Sequence, residues 1–302
     1  MHILITGGTG LIGQRLTSSL LKQGMYPRLL SRKANHSGEV PRYQWSIKEG
    51  KLDPTALDGV DVVIHLAGAG VADERWTAKR QKEILDSRIL STRLLYDTIN
   101  QLESKPSLLI CASATGYYGI HDHQHISREE DSAGTDFLAN VCVQWEAEAD
   151  RFEALDMKVI KVRTGVVLDP EGGALQKIAQ PIKYYAGAPL GSGKQQISWI
   201  HWEDWCRAVL HFLSKEAQSG VYNLVAPNPV TNAHLTRLIA RAINKPIWLP
   251  NVPGFALKLM LGKMSSVVLE GHSISAKKLQ QSGFQFKFET AEEAINELLG
   301  PD

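Results

Sequence analysis

The chain opens with a short apolar run, residues 3–5, which leads into a glycine-rich turn and then an amphipathic segment that ends at Gly24. Leu16 and Leu20 lie on one face of that segment, as expected of a helix packed on a core. A strand, a glycine turn and a helix in this order are typical of a dinucleotide site. The opening therefore predicts an α/β fold that begins with a nucleotide-binding unit, rather than a glycine turn without a ligand.

The glycines of the turn have separate physical roles in such a site. Those before the helix permit backbone torsions that a Cβ atom would forbid, and they let the main chain approach a pyrophosphate. Gly13 lets the helix pack closely on the strand, while the N–H groups at the helix start meet the pyrophosphate at the positive end of the helix dipole. The predicted cofactor-binding residues here are Gly7, Thr9, Gly10, Leu11, Ile12 and Gly13.

A second strand is predicted over residues 26–31, and the residues at its end indicate which dinucleotide is bound. An NAD site carries an acid there to hold the ribose 2′-hydroxyl, whereas this chain has Ser31, Arg32 and Lys33. A guanidinium binds a 2′-phosphate through charge-assisted hydrogen bonds, which contribute roughly 1.5–3 kcal/mol each. We therefore predict NADP(H) in preference to NAD(H), with Ser31 and Arg32 as ligands. For Lys33 a solvated basic turn competes with a binding role.

The next buried strand is predicted to end beside the cofactor. Residues 61–67 form a nearly continuous apolar run, as expected of a parallel strand covered on both faces. Small residues follow, and they would let a cofactor pass. The predicted contacts are Leu66, Ala67, Gly68 and, on a long helix predicted over residues 77–102, Arg88, which is expected to point at the sheet and the cofactor.

Strand and helix patterns alternate as far as residue 168, with a helix predicted over residues 136–154 and a strand over residues 158–168. Such alternation predicts a Rossmann-type, doubly wound parallel sheet of the α/β class. Beyond residue 168 prolines, glycines and tryptophans interrupt this alternation of strands and helices. Helices are predicted there at residues 202–214, 232–243 and 291–299.

The end of the strand–helix alternation at residue 168 predicts two unequal domains. We expect an NADP-binding Rossmann domain over residues 1–168, to which segments near residues 198–226 return. Residues 169–302 would form a smaller, mostly helical substrate lobe over the carboxyl ends of the strands. The crevice between the two is the expected place for a small-molecule substrate, and Trp199 and Trp202 either line it or belong to the core.

The composition is that of an ordinary globular protein and excludes several classes of partner. A formal net charge of +1 without a basic block argues against nucleic acid or an anionic membrane as the main partner. We expect no secretory leader, because the chain shows no charged n-region or cleavage site, and no membrane span, because no apolar run is long enough to cross a bilayer. Its three cysteines are odd in number and lack metal-site spacing, so we expect a cytoplasmic protein with reduced thiols.

His121, His123 and His125 alternate in a polar loop over residues 120–135. Metal ligation is one interpretation of this spacing, but no acid is positioned as a further ligand. We expect solvated histidines and no metal site.

Motifs along nearly the whole chain resemble those of the extended short-chain dehydrogenase/reductase superfamily, which includes nucleotide-sugar epimerases and dehydratases. Within it, the chain most resembles an atypical subgroup, usually labelled "epimerase family protein", with a distinctive C-terminal domain. The resemblance implies a Rossmann fold, a nicotinamide cofactor and a possible homodimer through the long helices. The motifs that carry it are GGTGLIG, VIHLAG, SATGYYG, CVQWEAEA, VRTGVVL, ISWIHWEDWCRAV, GVYNLVAPNPVT and the tail SISAKKLQQSGFQFKF.

The catalytic positions depart from the superfamily pattern, in which a Tyr lies four residues before a Lys and a Ser or Thr polarises the substrate. When the helix motif is placed on the chain through Glu146, the Tyr position holds Leu138 and the Lys position holds Cys142. The Ser/Thr position falls on Ala114, with Ser113 and Thr115 one step to either side. The Asn position falls on Arg88. The usual acid–base pair is therefore absent.

Ser113 and Tyr117 are the predicted catalytic replacements, because they lie near the end of a strand predicted over residues 107–112. Arg88 or Arg163 would lower the pKa of a tyrosine there, while Tyr118 is expected to have a packing role. Cys142 is either a reactive thiol or a small buried residue, and Glu146 is either an acid–base group or an ion-paired side chain.

Two functions from different classes are compatible with these features. The first is an NADP(H)-dependent oxidoreductase or epimerase acting on a small carbonyl or sugar-nucleotide-like substrate. The second is a non-catalytic NADP(H)-binding redox sensor or scaffold. The residues at positions 138 and 142 favour the second, whereas the predicted crevice and the polar residues 113–118 favour the first.

Overall fold

A computed structural model describes residues 1–121, 125–214 and 218–300. The strands are β1 (His2–Thr6), β2 (Tyr26–Ser31), β3 (Arg42–Ser46), β4 (Lys51–Leu52), β5 (Val62–His65), β6 (Leu108–Ala114), β7 (Ile126–Ser127), β8 (Lys158–Thr164), β9 (Val166–Asp169), β10 (Gln196–Ile197), β11 (Trp199–His201), β12 (Gly220–Leu224), β13 (Val230–Thr231) and β14 (Ser273–Ile274). The α-helices are α1 (Leu11–Lys22), α2 (Ala78–Asn100), α3 (Phe137–Asp150), α4 (Gly173–Lys183), α5 (Trp202–Phe212), α6 (Asn232–Ala242), α7 (Gly254–Leu261), α8 (Ser266–Leu269), α9 (Lys277–Gln281) and α10 (Ala291–Leu299). Short 3-10 helices span Pro54–Leu57, Thr115–Tyr118, Arg151–Leu155 and Gly262–Ser265.

One large sheet has the strand order β12-β8-β6-β5-β1-β2-β3-β4. Neighbouring strands run parallel, except for the antiparallel pair β3–β4 at one edge. Apolar residues of α1, α5 and α9 pack on one face of the sheet, and those of α2 and α3 pack on the other. This doubly wound α/β arrangement confirms the predicted Rossmann-type fold. Strand order reverses between β1 and β5, and ligands of such sheets bind outside the carboxyl ends of the strands there.

The strand predicted over residues 158–168 is two strands, because the chain leaves the large sheet at Gly165. β8 pairs with β6 in the sheet, whereas β9 pairs with β11. A Cβ atom on Gly165 would lie 2.4 Å from the carbonyl oxygen of Ser198, so glycine is needed for this close approach. The helix predicted over residues 136–154 also differs, because its α-helical part ends at Asp150 and a 3-10 helix follows.

The residues after β9 build a second hydrophobic core. Leu175 of α4, Leu235 and Ile239 of α6, and Ile295 of α10 pack there with Trp199. The chain then returns to the large sheet, because β12 pairs with β8 and α5 packs against α1. The division into domains at residue 168, like the homodimer, stays a prediction.

None of the helices in the described part of the chain is long and apolar enough to cross a membrane. Cys111, Cys142 and Cys206 are buried free thiols. Across residues 1–121, 125–214 and 218–300, no cluster of His, Cys, Asp and Glu side chains has the arrangement of a metal site. His123, one of the three loop histidines, lies outside the described residues.

A buried ion pair between Glu146 of α3 and Arg163 of β8 connects several elements of the fold. The Arg163 Nε and Nη2 atoms lie 2.8 and 2.9 Å from the two Glu146 carboxylate oxygens. Ser113 of β6 donates a 2.6 Å hydrogen bond to Glu146, and Arg163 donates one of 3.0 Å to the Tyr118 hydroxyl. Tyr118 in turn donates to the Asn223 side chain of β12 at 2.7 Å. The network therefore joins three strands to α3.

Glu146→Ala should lower the free energy of unfolding by about 3–5 kcal/mol, because it leaves the Arg163 guanidinium buried without its counter-charge. Urea denaturation followed by circular dichroism measures the change. Glu153→Ala removes an exposed carboxylate just after α3 and is the matched control, with an expected change within about 0.5 kcal/mol. A loss below about 1 kcal/mol in Glu146→Ala would contradict the prediction, because exposed pairs contribute that little.

Candidate functional site

The glycine turn after β1 has the shape that a dinucleotide site requires. Gly7 has a positive φ of 69°, and a Cβ atom on Gly13 would lie 2.3 Å from the Gly7 carbonyl oxygen. The start of α1 therefore packs directly against the turn. No side chain caps the first N–H groups of the helix, and no acid lies in its first turn. Thr9 and Gly10 precede this helix start, which Leu11 and Ile12 form.

A hydrogen-bond network around Thr6 and His65 holds the loops after β1 and β5 side by side. Thr6 Oγ1 accepts hydrogen bonds of 3.1 Å from the backbone N–H groups of Leu66 and Ala67. It donates its own proton to His65 Nδ1 at 2.7 Å, so the His65 Nε2–H group donates to Thr92 Oγ1 at 3.0 Å on α2. Burial lowers the pKa of His65 to about 3, which keeps the ring neutral near pH 7.

The end of β2 lies next to the glycine turn. The register of the parallel pair β1–β2 puts Ser31 and Arg32 beside Gly7. The Ser31 hydroxyl donates to the Lys33 carbonyl oxygen. The Arg32 side chain is exposed, and its guanidinium has no hydrogen-bond or ion-pair partner within the described ranges. That guanidinium is therefore available to an anionic ligand.

Arg88 of α2 connects the loop after β5 with α3. Its Nη1 atom donates to the carbonyl oxygens of Ala69 at 3.0 Å and Ile84 at 2.9 Å. The guanidinium also lies 5.0 Å from the centroid of the Trp145 ring, within the range of a cation–π contact. A Cβ atom on Gly68 would lie 3.0 Å from Arg88 Cζ, so the loop passes close to the side chain. The Arg88 side chain thus contacts the loop after β5 and α3, and its role in cofactor binding stays a prediction.

A cleft of about 290 Å³ opens at the carboxyl ends of β6 and β8, beside Arg88. Ala114 and Thr115 line it after β6, and residues 164–166 line it after β8. The helix α3 and the chain beyond β9 supply the remaining walls. Their contributions include Leu138, Val141, Cys142, Trp145, Ile197, Val267, Glu270 and His272.

The predicted catalytic residues Ser113 and Tyr117 do not reach this cleft. Successive side chains of a strand point to opposite faces, and the Ser113 hydroxyl points toward α3, where Glu146 accepts its hydrogen bond. The Tyr117 ring lies under the Arg163 guanidinium, with 3.3 Å between Cζ and the ring centroid. Tyr118 is fully buried, which agrees with its expected packing role, and burial raises the pKa of its hydroxyl to about 12. All three side chains belong to the network around the ion pair.

The structure also decides between the alternatives left open for other residues. Glu146 is ion-paired rather than free for acid–base chemistry. Burial raises the pKa of the Cys142 thiol to about 11, which opposes a reactive thiolate. Trp199 is fully buried in the second core, and Trp202 contacts Arg15, with 4.4 Å between the guanidinium carbon and the ring centroid. Neither tryptophan lines the cleft.

Sequence reasoning did not single out Glu270 and His272, and it noted Thr115 only as a neighbour of Ala114. The Thr115 hydroxyl and the Glu270 carboxylate have no hydrogen-bond or ion-pair partner in the part of the chain that the structure describes. His272 Nε2 lies 2.9 Å from the Ser127 hydroxyl, and burial lowers the pKa of this histidine to about 4. No local motif marks the tail residues, because the tertiary fold alone brings them to the cleft.

The free energy of unfolding should fall as the pH drops below about 6.5, because His65 takes up a proton only when the chain unfolds. Its pKa of about 3 in the folded state lies below the ordinary 6.5, so the unfolded state binds more protons between these values. One such group contributes a slope of up to about 1.4 kcal/mol per pH unit. Urea denaturation at about pH 6 and about pH 4 measures how the free energy of unfolding depends on pH. This dependence should be weaker for His65→Gln than for wild type. Equal slopes in the two proteins would contradict the prediction.

Known proteins resemble the chain over nearly its whole length. Residues 3–225 match the NAD dependent epimerase/dehydratase family, and residues 252–298 match a domain of unknown function, DUF1731. The epimerase family protein YfhF of Bacillus subtilis (strain 168) is 38% identical over 301 residues, with 99% of this chain and 98% of the relative covered. The epimerase family protein SAR0825 of Staphylococcus aureus (strain MRSA252) is 37% identical over 300 residues, with 98% of each chain covered.

A solved structure extends the likeness to three dimensions. The crystal structure of the human epimerase family protein SDR39U1 (isoform 2) with NADPH matches this fold with a TM-score of 0.89 and 30% sequence identity, and 99% of each chain is covered. The family match, the curated relatives and this structure confirm the resemblance that the motifs indicate. The chain therefore belongs to the NAD dependent epimerase/dehydratase family, with the DUF1731 domain at its C-terminal end.

Proposed function

We propose that the protein binds NADP(H) and is an oxidoreductase or epimerase-like enzyme that acts on a carbonyl compound in the cleft. The observation that carries the proposal is the position of Arg88, which contacts the loop after β5 and also lines the cleft. The loops expected to hold the cofactor therefore adjoin the space for a substrate. The proposed cofactor-binding residues are Gly7, Thr9, Gly10, Leu11, Ile12, Gly13, Ser31, Arg32, Leu66, Ala67, Gly68 and Arg88.

The residues present fit NADP(H) at both its pyrophosphate and its 2′-phosphate. The uncapped start of α1 offers N–H groups and the positive end of a helix dipole to a pyrophosphate. The Arg32 guanidinium offers forked hydrogen bonds to a 2′-phosphate. The residues directly after β2, positions 32–38, include no acid that would hold a ribose 2′-hydroxyl. The NADPH in the structure of the human relative supports the same preference here.

The chain's own contribution to the reaction is to hold the substrate and stabilise its oxygen. NADP(H), when bound, supplies hydride transfer. Of the hydroxyl groups that line the described cleft, that of Thr115 is the one without another partner. It can donate a hydrogen bond to a carbonyl oxygen, which stabilises negative charge that develops there. The Cys142 thiol stays protonated near pH 7 and is oriented toward the Ala114 carbonyl oxygen at 3.7 Å.

A non-catalytic redox sensor is the second candidate, and one observation favours it. Leu138 and Cys142, which stand at the superfamily's Tyr and Lys positions, both line the cleft. Leucine cannot carry a proton, and the buried thiol cannot supply the permanent positive charge of a lysine. A sensor would bind NADP(H) tightly without oxidising or reducing any second compound. Turnover therefore separates the two candidates.

Arg32→Asp should weaken NADPH binding by roughly tenfold or more and leave NADH binding nearly unchanged, because the lost hydrogen bonds involve the 2′-phosphate alone. Isothermal titration calorimetry measures both affinities. Arg42→Asp makes the same charge change at the amino end of β3 and is the matched control. An unchanged ratio of NADPH to NADH affinity in Arg32→Asp would refute the role of Arg32. Absence of heat with NADP(H) at millimolar concentration would refute cofactor binding itself.

Turnover should be detectable as NADPH oxidation with at least one member of a panel of aldehydes, ketones, quinones and nucleotide sugars. Thr115→Val should then lower kcat/KM by about tenfold to a hundredfold, because it removes the donor to the substrate oxygen. Tyr117→Phe should retain turnover, since this ring lies against Arg163 outside the cleft. Loss of turnover in Tyr117→Phe would instead favour Tyr117 as the acid. Tight NADPH binding without turnover on any panel member would favour the sensor.

A further inference from the structure

The walls of the cleft are predominantly apolar. Leu138, Val141 and Trp145 of α3 face Ile197, Val267 and Ile274, which the chain beyond β9 contributes. Val141 and Trp145 are nearly inaccessible to solvent in the fold, so they form a rigid wall. A surface of this kind favours ligands that gain free energy by leaving water.

The charged groups at the cleft do not suit an anion. Among the described lining residues, the full charges belong to Arg88, Asp136 and Glu270. The Arg88 Nη1 atom donates to two carbonyl oxygens, and the guanidinium also lies beside the Trp145 ring. The Glu270 carboxylate is unpartnered within the described ranges, and His272 is neutral because burial lowers its pKa to about 4. Two carboxylates and one cation leave a net negative charge at the cleft, which repels a diphosphate.

The start of α3, which lies at the cleft, is also unsuited to binding an anion. Asp136 caps α3, and its carboxylate accepts hydrogen bonds of 2.8 and 3.1 Å from the N–H groups of Leu138 and Ala139. Those N–H groups are therefore satisfied and screened by a negative charge. The uncapped start of α1 is the opposite case. Phosphate-binding character thus belongs to the glycine turn and not to the substrate cleft.

The space and the free polar groups indicate a small ligand. A volume of about 290 Å³ is at the lower end of the range of about 300–1,000 Å³ for ligand pockets. The Ser198 hydroxyl, which also lines the cleft, donates to the His272 carbonyl oxygen and accepts from the Ile274 N–H group. Among the hydroxyl groups of the cleft, that of Thr115 then remains as a donor for one oxygen atom of the ligand.

We infer that the cleft selects an uncharged, ring-containing carbonyl compound and rejects sugar nucleotides. The inference rests on the proposed function, whose substrate class it names. The apolar walls bind the ring, Thr115 binds the carbonyl oxygen, and the carboxylates of Asp136 and Glu270 oppose a phosphate or carboxylate on the ligand. The selectivity is thus a matter of charge as much as of size.

Two ketones of nearly the same shape test the inference, namely the neutral 6-acetyl-2-naphthamide and the carboxylate 6-acetyl-2-naphthoate, with UDP-glucose as the third probe. Isothermal titration calorimetry measures each affinity for the protein alone and for the protein saturated with NADP⁺, which cannot reduce a ketone. We expect the neutral ketone to bind at least about tenfold more tightly than the carboxylate, and UDP-glucose to give no heat at millimolar concentration. Glu270→Gln should lower the ratio of the two ketones' affinities by about two- to threefold.

Leu138→Lys is the decisive variant, because it puts a cation and a longer polar chain into the apolar wall. It should weaken binding of the neutral ketone by about tenfold, whereas Leu90→Lys, at a leucine of α2 that is 42% exposed, should change nothing. Binding of UDP-glucose, equal affinity for the two ketones, no binding of the neutral ketone, or an unchanged affinity in Leu138→Lys would each overturn the inference.

The same titrations separate this inference from the proposed function. If the protein does not bind NADPH but still binds the neutral ketone more tightly than the carboxylate, the proposed cofactor is refuted. The charge selectivity of the cleft is then still supported. Normal NADPH binding with tight binding of UDP-glucose would leave the cofactor in place and overturn the substrate class.

Discussion

The ion pair between Glu146 and Arg163 determines which side chains remain available around the cleft. Two buried charges are stable only when their hydrogen-bonding capacity is satisfied, and here Ser113 and Tyr118 satisfy part of it. The same cation covers the ring of Tyr117. Polar groups that could have served a reaction are thus engaged in holding β6, β8 and α3 together. What faces the cleft from these elements is mostly apolar.

Two helix starts with opposite electrostatics separate the predicted cofactor site from the cleft. The start of α1 has neither a side-chain cap nor an acid in its first turn, so it attracts phosphate. The start of α3 is capped by Asp136, which repels it. Arg88 lies between the two regions and has its guanidinium engaged by backbone carbonyls. The fold therefore concentrates phosphate-binding character at the glycine turn and leaves the cleft with excess negative charge.

Most of the fold could be predicted from local pattern, because strand periodicity, glycine turns and apolar helix faces are properties of short segments. Strands β1, β2, β5 and β6 and the helices α2 and α6 follow from such patterns to within a few residues. The break at Gly165 could not be predicted, since the close approach that requires glycine comes from Ser198, which lies far along the chain. The orientation of Ser113 also escaped prediction. A one-residue difference along a strand decides whether a hydroxyl faces the cleft or α3.

The sequence by itself determined the family, the doubly wound sheet, the glycine turn and the basic end of β2, because each depends on residues that are adjacent along the chain. The tertiary structure alone decided which side chains line the cleft. Thr115, Leu138 and Glu270 come from three separate segments, and packing rather than any motif brings them together. Tertiary structure also decided that Ser113 and Tyr117 belong to the ion-pair network. Burial sets the cost of leaving a charge unpaired, and burial is defined only once distant segments have packed.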